Sequence, residues 1–452
     1  MMNRSTFGKK SMNGQRPRVD RFIAPREQFP GLCRKMKWSA FAREKSADDV
    51  WYTKYLQQKR YASYLDEAFG LDLPKSEPSQ VEEEDCVQLW PCVPRTKSYL
   101  SSADSILDLP TYSYAAFPEL LDWSNDNILV AALGRNYHKW SWRSQSLISQ
   151  GVTDYEIHCC KFDPQGKLLI VGTDVKKVEV HDNARSKCIE KNICRCQEQV
   201  TTEYCSITAV DWSPTGNSFI TGCSQGMLST FSRNAMPISW RQAKKNAILI
   251  VRVSPDARFV TAAAVNDDDV WIFNWPSLQL FSSLKSDWTI KALTWHPWRS
   301  ALLGIGAVTS NLYARVALWD VPKGKVRKQT IGRYRYCLDA MLFSRRTGEL
   351  VLSLWNTDWE STNHPKTSSQ LVVMSDAETV VDQWGEGRTG LDRVRTMVFN
   401  PDGTKLATAT ADEDLIIWNF LPEDIRKRKK SCKRFSAIPV FLDKVTNGAS
   451  FR

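Results

Sequence analysis

The stretch "FNPDGTKLATATADEDLIIWNF", Phe399 to Phe420, decides the fold. An aromatic residue leads into Asn-Pro-Asp-Gly, where proline presets φ and glycine accepts the left-handed backbone that a tight turn needs. Small and β-branched residues follow, then a second, acidic turn, then an aliphatic strand closing on Trp418. The pattern is strand, turn, strand. A lone hairpin is marginal in water, so the unit implies neighbours of its own kind.

Those neighbours are present. The same turn signal recurs as "FDPQGKLLIVGTD" at Phe162, "WSPTGNSFITGCS" at Trp212 and "VSPDARFVTAAAV" at Val253. It returns as "WHPWRSALLGIGA" at Trp295 and "FSRRTGELVLSLW" at Phe343, with a degenerate copy, "DWSNDNILVAALG", from Asp122. The copies step by roughly 40 to 55 residues, the period of four-stranded propeller blades. Several end in a Trp–Asp-like strand, such as "RVALWDV" (Arg315 to Val321), whereas "VEVHD" (Val178 to Asp182) carries His181 at the tryptophan position. The 18 tryptophans are read as wedge fillers between blades, not as ligand contacts. Seven copies predict an all-β, seven-bladed WD-repeat propeller over residues 95–425, with largely disordered N- and C-terminal tails. A strand near "SILDLP" (Ser105 to Pro110) is expected to complete the last blade and remove a free sheet edge.

Composition narrows the function. The 452 residues are 42% hydrophobic and 25% charged, as in a soluble globular protein. No apolar run approaches the ~20 residues of a membrane helix, and the basic N-terminus lacks an apolar signal core, so no membrane partner and reduced cysteines are expected. The net charge of +11 raises nucleic acid as a partner, but much of the excess sits in "RKRKKSCKR" (Arg426 to Arg434). No helix-turn-helix, zinc finger or aromatic RNA platform accompanies it, so nucleic acid is set aside.

Reactive groups are sparse. Of the five histidines, His181 and His296 fall at blade strand ends and turns, no nucleophile elbow is present, and "GIGAVTS" (Gly304 to Ser310) has no helix to complete a phosphate loop. Cys188, Cys194, Cys196 and Cys205 lack paired Cys-x-x-Cys spacing and are read as small buried blade residues rather than zinc ligands. No catalytic residue, metal or cofactor is assigned. The expectation is a non-catalytic binding platform.

Residues 1–94 are read as a flexible region with one helical candidate, Ala47 to Phe69, and residues 426–452 as a basic tail ending in Phe-Arg. Within the first lies "VDRFIAPRE", Val19 to Glu27, where Phe22 and Ile23 stand among charges with no core to enter. Exposed apolar residues in such a segment await a partner's surface.

"DRFIAPR", "SILDLP" followed by "FPELLDWSNDNILVAAL", "WHPW", "PDGTKLATATADEDLIIW" and the terminal "FR" together resemble the fizzy and fizzy-related family, the cell-division-cycle protein twenty homologues. These are activators and substrate receptors of the anaphase-promoting complex. The resemblance covers about three quarters of the chain. It implies a ligase-binding C-box of Asp20, Arg21, Phe22, Ile23 and Arg26, with Ala24 and Pro25 departing from the family's order. It implies a docking tail of Phe451 and Arg452, where the family has Ile-Arg.

For degrons, the resemblance implies Leu107 and Asp108 in a groove between the first and last blades, Asp108 facing the degron arginine. Glu423 approximates a second acid, offset by one residue, and Arg393 and Gln370 match positions of the family's KEN-peptide site. An Asn-Asp-Asn of that site aligns with Asp268, Asp269 and Val270, a departure. The implied partners are subunits of the complex and degron-bearing substrates such as cyclins, in cytoplasm and nucleus. The divergences resemble the meiotic cortex-type branch. The competing reading is a scaffold of this descent that has lost productive ligase activation.

Overall fold

The computed structural model describes residues 90–422, apart from 102, 113–116, 199–203, 332–334, 358–366, 377 and 386–390. The C-box, the helical candidate, Glu423 and the Phe451–Arg452 end lie outside the described residues. Seven four-stranded antiparallel sheets form the ring. Six are consecutive in sequence, spanning 121–152, 157–193, 207–242, 248–285, 289–330 and 337–384. The seventh joins three late strands, Val394–Phe399, Lys405–Thr410 and Asp414–Asn419, to the early strand Ala103–Asp108. Ser105 pairs with Ile417, Leu107 with Leu415 and Asp108 with Asp414. The expected closing strand is there.

The repeated turn explains each blade's first hairpin. The residue after the aromatic caps its own turn with a side-chain acceptor: Asp163 Oδ1 takes the N–H of Lys167 and Leu168 at 2.6 and 2.9 Å. Ser254 Oγ takes the Phe259 N–H at 2.9 Å, and Asn400 Oδ1 takes that of Lys405 at 2.9 Å. In the fifth blade His296 does this work, its Nδ1 accepting from Trp298 and Arg299 at 3.1 and 3.0 Å. A ring nitrogen replaces a carboxamide or hydroxyl because only a lone pair is required. With Nδ1 accepting, Nε2 carries the proton and donates to the Pro91 carbonyl at 2.8 Å.

The core is a set of wedges between blades. Trp212, Phe219 and Phe231 fill one of them, with Phe219 and Phe231 stacked 5.2 Å apart. In the last blade Trp418 is buried and donates Nε1–H to Thr408 Oγ1 at 2.9 Å, so its polar edge is satisfied. His181, standing where that indole would, is buried against Tyr137 and Glu179, with Tyr137 Oη 3.0 Å from Nδ1 and Glu179 Oε2 3.0 Å from Nε2. Not every tryptophan fills a wedge. Trp240 and Trp298 are 40% and 43% exposed, because one sits on an outermost strand and the other inside a turn.

A strap, Trp90 to Leu100, is laid across the fifth, sixth and seventh blades. Trp90 is buried edge-on against Phe343, 6.0 Å between ring centres, which is worth about 3 kcal/mol in area removed from water. Arg95 anchors the middle. Its guanidinium reaches Glu349 and Asp382, each at 2.8 Å, all three side chains at most 1% exposed. It also lies 4.1 Å over the Phe420 ring. The remaining acceptors of Asp382 take Ser98 Oγ–H and the Tyr99 and Leu100 N–H groups. Arg95 and Asp382 are thereby satisfied, whereas the buried Trp90 indole N–H has no hydrogen-bond partner.

Candidate functional site

The closing edge is built by the register of the early strand. Its exposure alternates, with Asp104, Ile106 and Asp108 outward and Ser105 and Leu107 inward. Leu107 packs half-buried on the core shared by the seventh and first blades, where Trp140 and Trp142 are also half-buried. Asp108 ends the strand on the face opposite the Pro–Gly turns. The turn beyond it is held by backbone bonds, Leu109 N–H to Glu413 O at 2.6 Å and Tyr112 N–H to Leu109 O at 3.2 Å. A turn-capping role for Asp108 is therefore not required.

Asp108 has acidic company. Burial, and then the charges of Asp412, Asp108 and Asp392, push the Asp414 carboxyl up. Four carboxylates thus share one end of the closing edge, an arrangement that favours an arriving cation. At the other end Asp104 is neutralised by Lys405, 2.8 Å away. That end opens into a pocket of ≈ 420 Å³ lined by Asp104, Trp142, Arg143, Asn400 and Lys405. The closing strand therefore runs from a neutralised end to an anionic one, with half-buried apolar side chains packed beside it.

Arg393 enters the last blade on the same face as Asp108. It pairs with Asp339 of the sixth blade through Nε and, at 3.1 Å, through Nη2, and it lies 4.1 Å over the Trp355 ring. Gln370 stands across from Leu354 in the neighbouring strand, next to the Ser369 that pairs with Trp355. Because neighbouring positions alternate faces, Gln370 leaves the sheet on the face opposite Trp355, so the two expected residues are not brought together around that indole. In the fourth blade the departure from the family's polar triplet has a physical form. Val270 is 1% exposed, and Lys244 takes Asp267 at 2.8 Å and Asp269 at 3.7 Å while lying over Trp271. A buried valine offers no hydrogen bond, and the flanking acids are already engaged.

The channel is charged but self-paired. Equivalent inner-strand positions carry Asp122, Lys161, Asp211 and Arg252. Lys161 meets Asp122 at 3.1 Å, and Arg252 reaches Glu119 of the segment leading into the first blade. Burial raises Asp211, while Asp122 and Asp211 hold Lys161 in its charged form despite burial. Asp122 and Asp211 each accept an N–H from the following blade, Phe162 and Val253, both at 2.8 Å. These charges lock blade to blade.

Sequence reading named Leu107, Asp108, Arg393 and Gln370, and it missed Asp339, Trp355, Asp392, Asp412, Asp414, Trp140 and Trp142. Only the "DED" spacing within "TADEDLIIW" and the aromatic "HKWSW" hinted at the last groups.

The ring, its latch and its repeated turns define a WD-repeat propeller. The family model "WD domain, G-beta repeat" matches residues 195–231 and 387–419. The fold is also that of a chain in a solved structure described as "Crystal Structure of Mitotic Checkpoint Complex", with a TM-score of 0.56 and 20% identity over 78% of this chain and 98% of that one. Among relatives, "Cell division cycle 20.5, cofactor of APC complex" of Arabidopsis thaliana is 22% identical over 74% of this chain and 71% of its own. "Protein cortex" of Heliconius erato is 61% identical, with both chains covered in full. The chain belongs to the cortex family, a divergent branch of the fizzy-type propellers.

Proposed function

We propose that this protein is a substrate-recognition activator of the anaphase-promoting complex. It is a non-catalytic adaptor that binds degrons of cell-cycle proteins and promotes their ubiquitination, in meiosis. The observation that carries the reading is the closing edge: a carboxylate at Asp108 within an acidic group, beside half-buried apolar side chains, in a chain of this descent. A degron arginine would enter the anionic end and form a charge-assisted bond to Asp108, stronger than a neutral one. The degron leucine would settle over Leu107 between Trp140 and Trp142. The C-box, Asp20 to Arg26, and the Phe451–Arg452 end would hold subunits of the complex.

The test is fluorescence anisotropy with an Arg-x-x-Leu peptide and its Arg→Ala control. Asp108→Asn keeps the shape and removes the charge. Losing one charge-assisted bond of ~1.5–3 kcal/mol predicts a fall in affinity of roughly tenfold or more. Equal binding of peptide and control by the wild type sinks the degron assignment.

The scaffold reading draws on a different observation, the buried Val270 and engaged Asp267 and Asp269 on the face where a second degron class would bind. It predicts that ligase subunits do not co-purify with the chain.

A further inference from the structure

Four cysteines from one inter-blade connection and a neighbouring strand converge on one point of the ring. Cys194, Cys196 and Cys205 lie on the connection from the second to the third blade, and Cys223 ends the third blade's second strand. Their sulfurs all lie within 4.8 Å of one another, and none of the four residues is more than 3% exposed. Cys188, grouped with three of them by sequence proximity, instead sits beside Glu179 and His181, and Cys223 takes the fourth place. All are free thiols.

We propose that Cys194, Cys196, Cys205 and Cys223 form a structural zinc site. A tetrahedral tetrathiolate with zinc–sulfur bonds of ~2.3 Å places its sulfurs ~3.8 Å apart, inside the observed spread. The four sulfurs form one cluster rather than two separate pairs, which is the arrangement of a shared ion. Four protein ligands leave no open position, so the role is structural rather than catalytic. Soft thiolate donors select a soft or borderline cation over calcium or magnesium.

The surroundings hold the ligands in place. Lys176 bridges the connection, its carbonyl accepting from Cys194 N at 2.8 Å and its N–H donating to Cys205 O at 2.7 Å. Ser206, next to Cys205, accepts from the N–H of Ser224, next to Cys223, at 2.8 Å. The turn after Cys223 depends on Gly226, which donates its N–H to the Cys223 carbonyl at 3.0 Å and has φ of +76°, with the Lys244 carbonyl 2.2 Å from where a Cβ would stand. In the two other clusters of donor groups, Glu179 is engaged with His181 and Lys191, and Asp267 and Asp269 with Lys244.

The test uses the full chain, produced in zinc-supplemented medium and purified without a metal-affinity tag. Elemental analysis should find about one zinc per chain, released when a mercurial blocks the thiols. Cobalt(II) replacing it should show the visible spectrum of a tetrahedral tetrathiolate. Cys223→Ser should weaken metal retention by more than about tenfold, while Cys188→Ser leaves it unchanged. Should Cys223→Ser not fold, the wild-type metal content and cobalt spectrum still decide. A folded wild type without zinc that fails to take up cobalt, or disulfides among these four in mass spectrometry, overturns the proposal.

Discussion

Acidification should loosen the ring through His296. Its ring is buried, Nδ1 accepts two backbone N–H groups and Nε2 donates to Pro91 of the strap, so both nitrogens are committed to the neutral form. Burial pulls the pKa down from 6.5 to about 4, and the Arg299 charge adds to this against the opposing Pro91 bond. A folded value below the unfolded one means that the contribution is complete above pH 6.5 and is lost as pH falls toward 4. Linkage gives about 2 kcal/mol lost between pH 7.5 and pH 5, or about 3 °C in midpoint for a ring of this size. Thermal melts of wild type and His296→Asn across that range read the effect. Asparagine caps the equivalent turn at Asn400 and does not titrate. The variant should start lower at pH 7.5, having lost the Pro91 bond and the contact with Phe343, yet fall less steeply. Parallel slopes for the two proteins would refute the argument.

Arg95→Met should cost about 3–5 kcal/mol in urea unfolding, because it strands the buried carboxylates of Glu349 and Asp382. Adding Glu349→Gln and Asp382→Asn should restore much of that, and a loss under about 1 kcal/mol for Arg95→Met alone would contradict the description of the strap. Phe22→Ala, in the proposed C-box, should weaken co-purification of ligase subunits at least roughly thirtyfold without moving the ring's melting temperature. Unchanged association would favour the scaffold.

The ring was legible because its information is local. Most blades begin with an aromatic residue, a capping side chain and a turn marked by proline or glycine within a few positions, and the closing strand declares itself by alternation in "ADSILD". What escaped depends on partners far apart in the chain. Arg95 reads as one more surface charge until Glu349 and Asp382, some 250 and 290 positions later, close around it. Asp339 and Arg393 belong to different blades, so only the ring makes them neighbours. Sequence proximity placed Cys188 with the other cysteines, but its strand lies at the outer edge of a blade, whereas Cys223 ends a buried one. Asp108 could be named from the resemblance, while its acidic neighbours arrive from the far end of the chain.

The pairing of Ala103–Asp108 with Asp414–Asn419 also sets a timetable. Among the described residues, the first strand to emerge during synthesis is the last to find its partner, after roughly 300 further residues at about 5–20 residues per second. For some 15–60 s, at those rates, the nascent chain carries a strand whose backbone donors and acceptors have no mate. Asp104 and Asp108 flank the outward Ile106 on that strand, and two like charges on so short a segment discourage pairing with a neighbouring chain. A message truncated anywhere before Asp414 would therefore yield more than a shorter ring. It would leave the waiting strand permanently open, a product for proteolysis rather than for assembly.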